Sequence, residues 1–165
     1  MSSMTEKEIN TGDQAPDFSL PDHTGAMHTA GSYRGSWYIL YFYPKDNTTA
    51  CTAEALAFSA AYEELAKLEI PVIGVSPDTM ESHRKFIEKH DLRITLLADV
   101  NHEVIGAYGA WKRKKMYGKE YMGVERSTFL IDPNGIIREI WRNVKVKGHV
   151  EAVTSRLREL KAVTP

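Results

Sequence analysis

The sequence has a single cysteine, Cys51, among 165 residues. One thiol closes no internal disulfide and secreted chains tend to carry cysteines in pairs, so a reducing compartment, the cytoplasm, is expected. Any redox chemistry must then involve a second molecule. Long apolar runs are missing too: the longest, Trp37–Tyr43, covers seven residues, against the ~20 that a membrane helix needs. The amino terminus, Met1-Ser-Ser-Met-Thr-Glu-Lys-Glu8, offers no apolar stretch that could form the core of a signal peptide. Neither sign of charge is in excess, since 21 Lys+Arg face 22 Asp+Glu. No global field draws in nucleic acid or a membrane surface, and a neutral or small partner is expected. Repeats, low-complexity tracts and long linkers are absent as well. With 42% hydrophobic and 26% charged residues, the chain is expected to form one domain over 12–165 behind a mobile tail over 1–11.

What is present reads as an α/β chain. Phe18–Leu20 and Ala26–His28 suit two short strands around a turn at Gly25. Trp37–Tyr43 is aromatic and continuously apolar, the pattern of a strand buried on both faces of a sheet, and Pro44 ends it. From Thr49 to Leu68 the spacing becomes helical, with Ala53, Leu56, Ala57, Ala60, Leu65 and Leu68 as an apolar stripe. Pro71–Pro77 is a second buried strand, so strand, helix and strand form a right-handed βαβ unit with parallel strands. Asp78-Thr-Met-Glu81 resembles a capping box that opens a helix to about Asp91. Ile94–Ala98 is a third strand, and Asn101 caps a short helix, His102–Tyr108. A basic, aromatic loop follows, then Ser127–Ile131 and Ile136–Trp141 flank the turn Asp132-Pro-Asn-Gly135. The last helix runs from about His149 to Lys161. This order describes a mixed parallel and antiparallel sheet flanked by helices.

In open α/β sheets, sites form beyond the carboxyl ends of the parallel strands. Pro44–Cys51 is such a strand-to-helix handover, and Cys51 falls in or beside the first helical turn, where unpaired N–H groups and the helix dipole favour an anion. Such surroundings bring a thiol from ~8.5 to ~3.5–7.5. The alternative for Cys51 is a buried small hydrophobe. Taken singly, Pro44 would be a strand terminator, Thr48 a helix cap, Arg126 a surface arginine and Glu54 a solvated helix carboxylate.

Pro44, Thr48 and Cys51 reproduce Pro-x-x-x-Thr-x-x-Cys, the peroxidatic motif of peroxiredoxins. Tyr41-Phe-Tyr-Pro-Lys-Asp46, Cys51-Thr-Ala-Glu-Ala55, Met116-Tyr-Gly-Lys119, Arg126-Ser-Thr-Phe-Leu-Ile-Asp132 and Val146-Lys-Gly-His149 resemble the peroxiredoxin Q or bacterioferritin comigratory protein class, in order and over nearly the whole chain. The resemblance implies a thioredoxin-like fold and a thiol peroxidase acting on hydrogen peroxide and organic hydroperoxides, without a bound cofactor. Cys51 would be the nucleophile that becomes a sulfenic acid. Thr48 would approach the sulfur and the peroxide, and Pro44 would shape and shield the loop. Arg126 would supply the cation. It starts a strand that, by the resemblance, runs antiparallel to Trp37–Tyr43 and so begins at the Cys51 end. Glu54, one turn after Cys51, would orient Arg126.

Two positions depart from the class. Many members carry a resolving cysteine five residues after the first, where this chain has Leu56. A one-cysteine cycle is implied, with reduction by an external thiol such as thioredoxin, glutaredoxin or glutathione. Thr49-Ala50 replaces a frequent Pro-Gly. The class implies a monomer or weak homodimer, and a redox sensor that passes Cys51 oxidation to a partner is the alternative function. Elsewhere His23, His28, His83, His90, His102 and His149 show no zinc-like spacing. Gly106-x-x-Gly109 follows a helix and is no dinucleotide loop. Lys112-Arg-Lys-Lys115 with Trp111, Met116 and Tyr117 is either a solvated face or a dock for an acidic donor.

Overall fold

A computed structural model describes residues 8–163. Strands β1 (Ser19–Pro21) and β2 (Met27–Thr29) pair antiparallel around Gly25, whose φ of 91° is open to glycine without strain. The main sheet is built from β3 (Tyr38–Phe42), β4 (Val72–Ser76), β5 (Thr95–Ala98), β8 (Ser127–Ile131) and β9 (Ile137–Trp141), in the order β5-β4-β3-β8-β9. β3 is central and fully buried. It pairs parallel with β4 and antiparallel with β8, in the register Phe42↔Ser127 to Tyr38↔Ile131. This is the mixed thioredoxin-like sheet that the resemblance implies.

Alternation along the strands splits the core into two layers. Ile39, Tyr41, Tyr43 and Leu130 face α1 (Thr49–Ala60), α3 (Met80–His90) and α5 (His149–Val163), where Phe58, Phe86, Val153 and Leu157 close the layer. Leu40, Phe42, Phe129 and Ile131 face the other way, onto α4 (Glu103–Ala107) and the N-terminal segment through Ile105, Tyr108 and Phe18. Gly74 on β4 fits the first layer for a steric reason: a Cβ there would lie 2.8 Å from the Tyr41 ring. That ring stacks on Phe58 at 4.8 Å between centroids, directly behind the helix that carries Cys51.

Five expectations are corrected. The helix expected over 49–68 ends at Ala60, and a separate α2 (Tyr62–Lys67) follows. Its buried face is also different: Cys51, Glu54, Ala55 and Phe58 point inward, at i, i+3, i+4 and i+7, while Ala53, Leu56 and Ala60 are exposed. A buried carboxylate had placed the true inner face on the polar side of the pattern. Thr79, not Asp78, caps α3, accepting from the Ser82 N–H at 3.1 Å. Asn101 does not cap α4; Asp99 does the equivalent work by accepting from the Ile105 N–H at 2.8 Å. Finally, the basic loop after Gly109 is a hairpin of β6 (Trp111–Met116) and β7 (Lys119–Val124). Tyr117 and Gly118, at φ 52° and 78°, make its two-residue turn. Lysines on both strand faces hide the period-two signal.

Of the N-terminal segment read as a tail, residues 1–7 lie outside the described residues. Ile9 packs against the second core layer, and the Asn10 N–H donates to Asp13 at 2.9 Å.

Candidate active site

β3 ends at Phe42, and Pro44 opens the loop that returns the chain into α1. Asn47 takes a left-handed turn (φ 63°), a conformation asparagine tolerates. Thr48 is the helix N-cap position, so Cys51 is the third helical residue and sits among the free N–H groups of the first turn. Its side chain is 1% exposed. Thr48 makes no hydrogen bond to the sulfur and does not cap the helix; its hydroxyl donates to the Lys45 carbonyl at 2.8 Å. That bond uses the hydroxyl proton and leaves the oxygen able to accept a further hydrogen bond.

The antiparallel register of β8 against β3 brings Arg126 to the Cys51 end of the sheet, as the resemblance implies. Its guanidinium makes two bonds, Nη2 to Cys51 Sγ at 3.4 Å and Nη1 to Glu54 Oε1 at 2.6 Å. The main chain holds it as well, because the Val144 N–H donates to the Arg126 carbonyl at 3.0 Å. Glu54 is fully buried rather than solvated. Burial pushes its carboxyl up from 4.5 to about 7 against the opposing pull of Arg126. Burial works against the Arg126 charge too, but Glu54 and Cys51 outweigh it and raise the guanidinium further. Neither Glu54 Oε2 nor the Tyr41 hydroxyl has a hydrogen-bond partner among the described residues. Tyr41 keeps its proton, since burial, then Glu54 and Cys51, lift it well above 10.

His149 lies behind this group. Its Nε2 is 2.8 Å from Thr128 Oγ1, and Phe58 and Trp141 meet the ring edge-on. Burial first, and Arg126 second, bring it down from 6.5 to about 4. Glu54 and His149 therefore pull stability in opposite directions with pH. Glu54 is raised in the fold, so its contribution is complete below 4.5 and is lost as pH rises through 7. His149 is lowered, so its contribution is complete above 6.5 and is lost as pH falls through 4. Each amounts to roughly 3 kcal/mol, and over 4.5–6.5 they offset one another. In urea denaturation, Glu54→Gln should gain stability relative to wild type as pH rises from 4.5 to 7. A constant difference would show that Glu54 ionises as in the unfolded chain.

Sequence reasoning missed a second buried group that holds the loop. Asp46 accepts from Tyr43 Oη at 2.6 Å and from Ser82 Oγ at 2.8 Å, and its Oδ2 lies 2.7 Å from His83 Nδ1. Its own N–H donates to Asp78 Oδ2 at 2.8 Å, and Asp78 also accepts from Ser76 Oγ at 2.7 Å. Both His83 nitrogens face oxygens, the second being the Leu97 carbonyl at 3.0 Å. The loop between Pro44 and Thr48 is thus tied to β4, β5 and α3. Asp46→Asn should cost about 1–3 kcal/mol in chemical denaturation, since an amide cannot accept all three donors. The only signal in the sequence was the pair Ser82-His83 on the inner face of a polar helix. Asp46, Asp78 and His83 place ligand-type atoms within 4.8 Å of one another, but these atoms are engaged in the bonds just described.

Residues 11–140 match the model of the AhpC/TSA family. Peroxiredoxin Bcp of Bacillus subtilis is 47% identical over 152 residues, which cover 92% of this chain and 97% of that protein. A putative peroxiredoxin bcp of Coxiella burnetii is 44% identical over 149 residues, 90% of this chain and 99% of the other. Among solved structures, a Xylella fastidiosa PrxQ mutant superimposes with a TM-score of 0.88 at 35% identity, covering 94% and 99% of the two chains. Xanthomonas campestris bacterioferritin comigratory protein, studied for alkyl peroxide reduction, gives 0.82 at 39% identity over 86% and 90%. With the family matched across most of its length and a thiol, a guanidinium and a carboxylate gathered where β3 meets α1, the chain belongs to the AhpC/TSA family as a peroxiredoxin of the Bcp and PrxQ class, a thiol peroxidase.

Proposed function

We propose that Cys51 is the nucleophile of a one-cysteine cycle. Its thiolate attacks one oxygen of a hydroperoxide, the O–O bond breaks, and the distal oxygen leaves as water or an alcohol after taking a proton. Cys51 is left as a sulfenic acid. Arg126 serves the sulfur before attack and the leaving oxygen during it, because its Nη2 already points at Sγ and charge develops beside that position. Thr48, whose hydroxyl oxygen keeps acceptor capacity beyond the bond to Lys45, accepts a hydrogen bond from the peroxide O–H. Pro44, with no N–H, borders the approach without competing for it. Glu54 is a positioning residue that fixes the guanidinium plane. The observation that carries this reading is the single guanidinium bonded to both Cys51 and Glu54.

The second half-reaction uses an external thiol, since Cys51 is the only cysteine and the exposed Leu56 stands where a resolving thiol would be. Thioredoxin, glutaredoxin and glutathione all have the required chemistry. The enzyme works in the cytoplasm as a monomer or weak homodimer and requires no cofactor.

Stopped-flow mixing of the reduced protein with hydrogen peroxide, followed by tryptophan fluorescence and mass spectrometry, tests the cycle. Fast oxidation that adds one oxygen to Cys51 and is reversed by thiol is expected. A rate no faster than that of a free thiol would sink it.

A further inference from the structure

The β6–β7 hairpin carries five cations, Lys112, Arg113, Lys114, Lys115 and Lys119, against one carboxylate, Glu120. In a chain of net charge −1 this is a marked local concentration, and its root is fixed. Trp111 stacks on His102 with centroids 4.0 Å apart and planes 4° apart, and the Glu125 N–H donates to the Ala110 carbonyl at 2.7 Å. Strand alternation then sends Lys112 and Lys114 to the same side. Both line a cavity of about 340 Å³ whose other walls include Pro44 and Arg126. Lys114 is half-buried and its stem runs over Gly123, where an added Cβ would meet Cδ at 3.4 Å and Cε at 3.7 Å.

The charges around this cavity are unbalanced. Arg113 pairs with Glu120 and Arg126 with Glu54, whereas Lys112 and Lys114 form no ion pair among the described residues. Glu125 also lines the cavity, one carboxylate among four cations. Burial, and then Arg126, depress the Lys114 ammonium, with partial relief from Cys51 and Glu125. Two neighbouring cations with a shared concave space form a receptor for an anion. The volume lies at the small end of ligand pockets and suits a small molecule rather than a protein segment.

We infer that this cavity seats the carboxylates of the reducing co-substrate, a small acidic peptide thiol, with Lys114 as the recognising cation. The inference rests on the one-cysteine cycle proposed above. In it, the sulfur of the bound thiol attacks the Cys51 sulfenic sulfur, the S–OH bond breaks, and water leaves with the thiol proton. A mixed disulfide results, which a second thiol molecule of the same class opens to give reduced Cys51 and the symmetrical disulfide.

Glutathione and its diethyl ester share one thiol and nearly one size but differ in both carboxylates. Cys51 oxidised with one equivalent of peroxide should be reduced about 10-fold faster by glutathione, at equal thiolate concentration, than by the ester. Lys114→Gln should erase that preference, and Lys114→Arg should restore it. Lys115→Gln, on the opposite strand face, should keep it. An equal rate for the two thiols, or a preference that survives in Lys114→Gln, would overturn the inference. So would reduction by a protein thiol alone. A separate measurement does not need the sulfenic acid: calorimetric titration of Cys51→Ser with S-methylglutathione should show binding that Lys114→Gln weakens about 10-fold. If that binding is seen while peroxide fails to oxidise Cys51, the peroxidase cycle is wrong and the acidic site stands; if no binding is seen, the site is wrong.

Discussion

Cys51→Ser should remove peroxide consumption altogether, with every thiol donor, while the protein unfolds within roughly 1–2 kcal/mol of wild type. The substitution exchanges sulfur for a smaller oxygen in a nearly closed site, and the hydroxyl can still accept from Arg126 Nη2. The packing of Ala55 and Phe58 against the Tyr41 side of the sheet is not touched. What is lost is the chain's single thiol, the group that forms a sulfenic acid and gives up its oxygen as water when an external thiol attacks. Residual turnover above the uncatalysed thiol reaction, assayed by peroxide consumption, would mean that the reacting group lies elsewhere. Loss of cooperative unfolding would mean that Cys51 is a packing residue first.

Arg126→Ala should lower the rate constant for Cys51 oxidation by about 10²–10³, equivalent to ~2.7–4 kcal/mol, the range for losing one preorganised donor to developing charge. Arg126→Lys should recover little of it. A point-charge ammonium cannot bond the sulfur and the Glu54 carboxylate from two nitrogens of one rigid plane, as the guanidinium does. The same variant has a signature in stability. Without Arg126, Glu54 is buried with no counter-charge and escapes by staying protonated, so Arg126→Ala should be more destabilised at pH 8 than at pH 5. Stopped-flow oxidation and denaturant melts at the two pH values check both parts. Unchanged oxidation kinetics would reduce Arg126 to a structural ion-pair partner.

Much of the frame was legible because its causes are local. The unbroken apolar run ending at Pro44 marks a strand buried on both faces, and β3 is the sheet's centre. The turn Asp132-Pro-Asn-Gly135 carries its own chemistry: the Gly135 N–H donates to the Asp132 carbonyl at 2.9 Å, at a φ of 80°. The hairpin β6–β7 was missed because β6 carries basic residues at four successive positions, Lys112 to Lys115, whose long stems cover a surface from either face without alternating polarity. The inner face of α1 was misread for a different reason. Hydrophobic periodicity assumes that charge points outward, and Glu54 points inward toward Arg126.

The same division holds for the chemistry. The sequence by itself determined the helical setting of the single thiol, since Pro44, Thr48 and Cys51 lie within eight residues of one strand-to-helix handover. Short-range geometry of that kind follows from backbone preferences and needs no distant partner. Only the tertiary structure decided what surrounds the thiol. Arg126 is 75 residues from Cys51 along the chain, and the β3–β8 register brings the two to 3.4 Å. The ties from Asp46 to His83 and the placement of Lys114 beside Arg126 are likewise products of packing. Electrostatic fields and desolvation act through space, so the groups that tune a reactive side chain are set by how the layers meet.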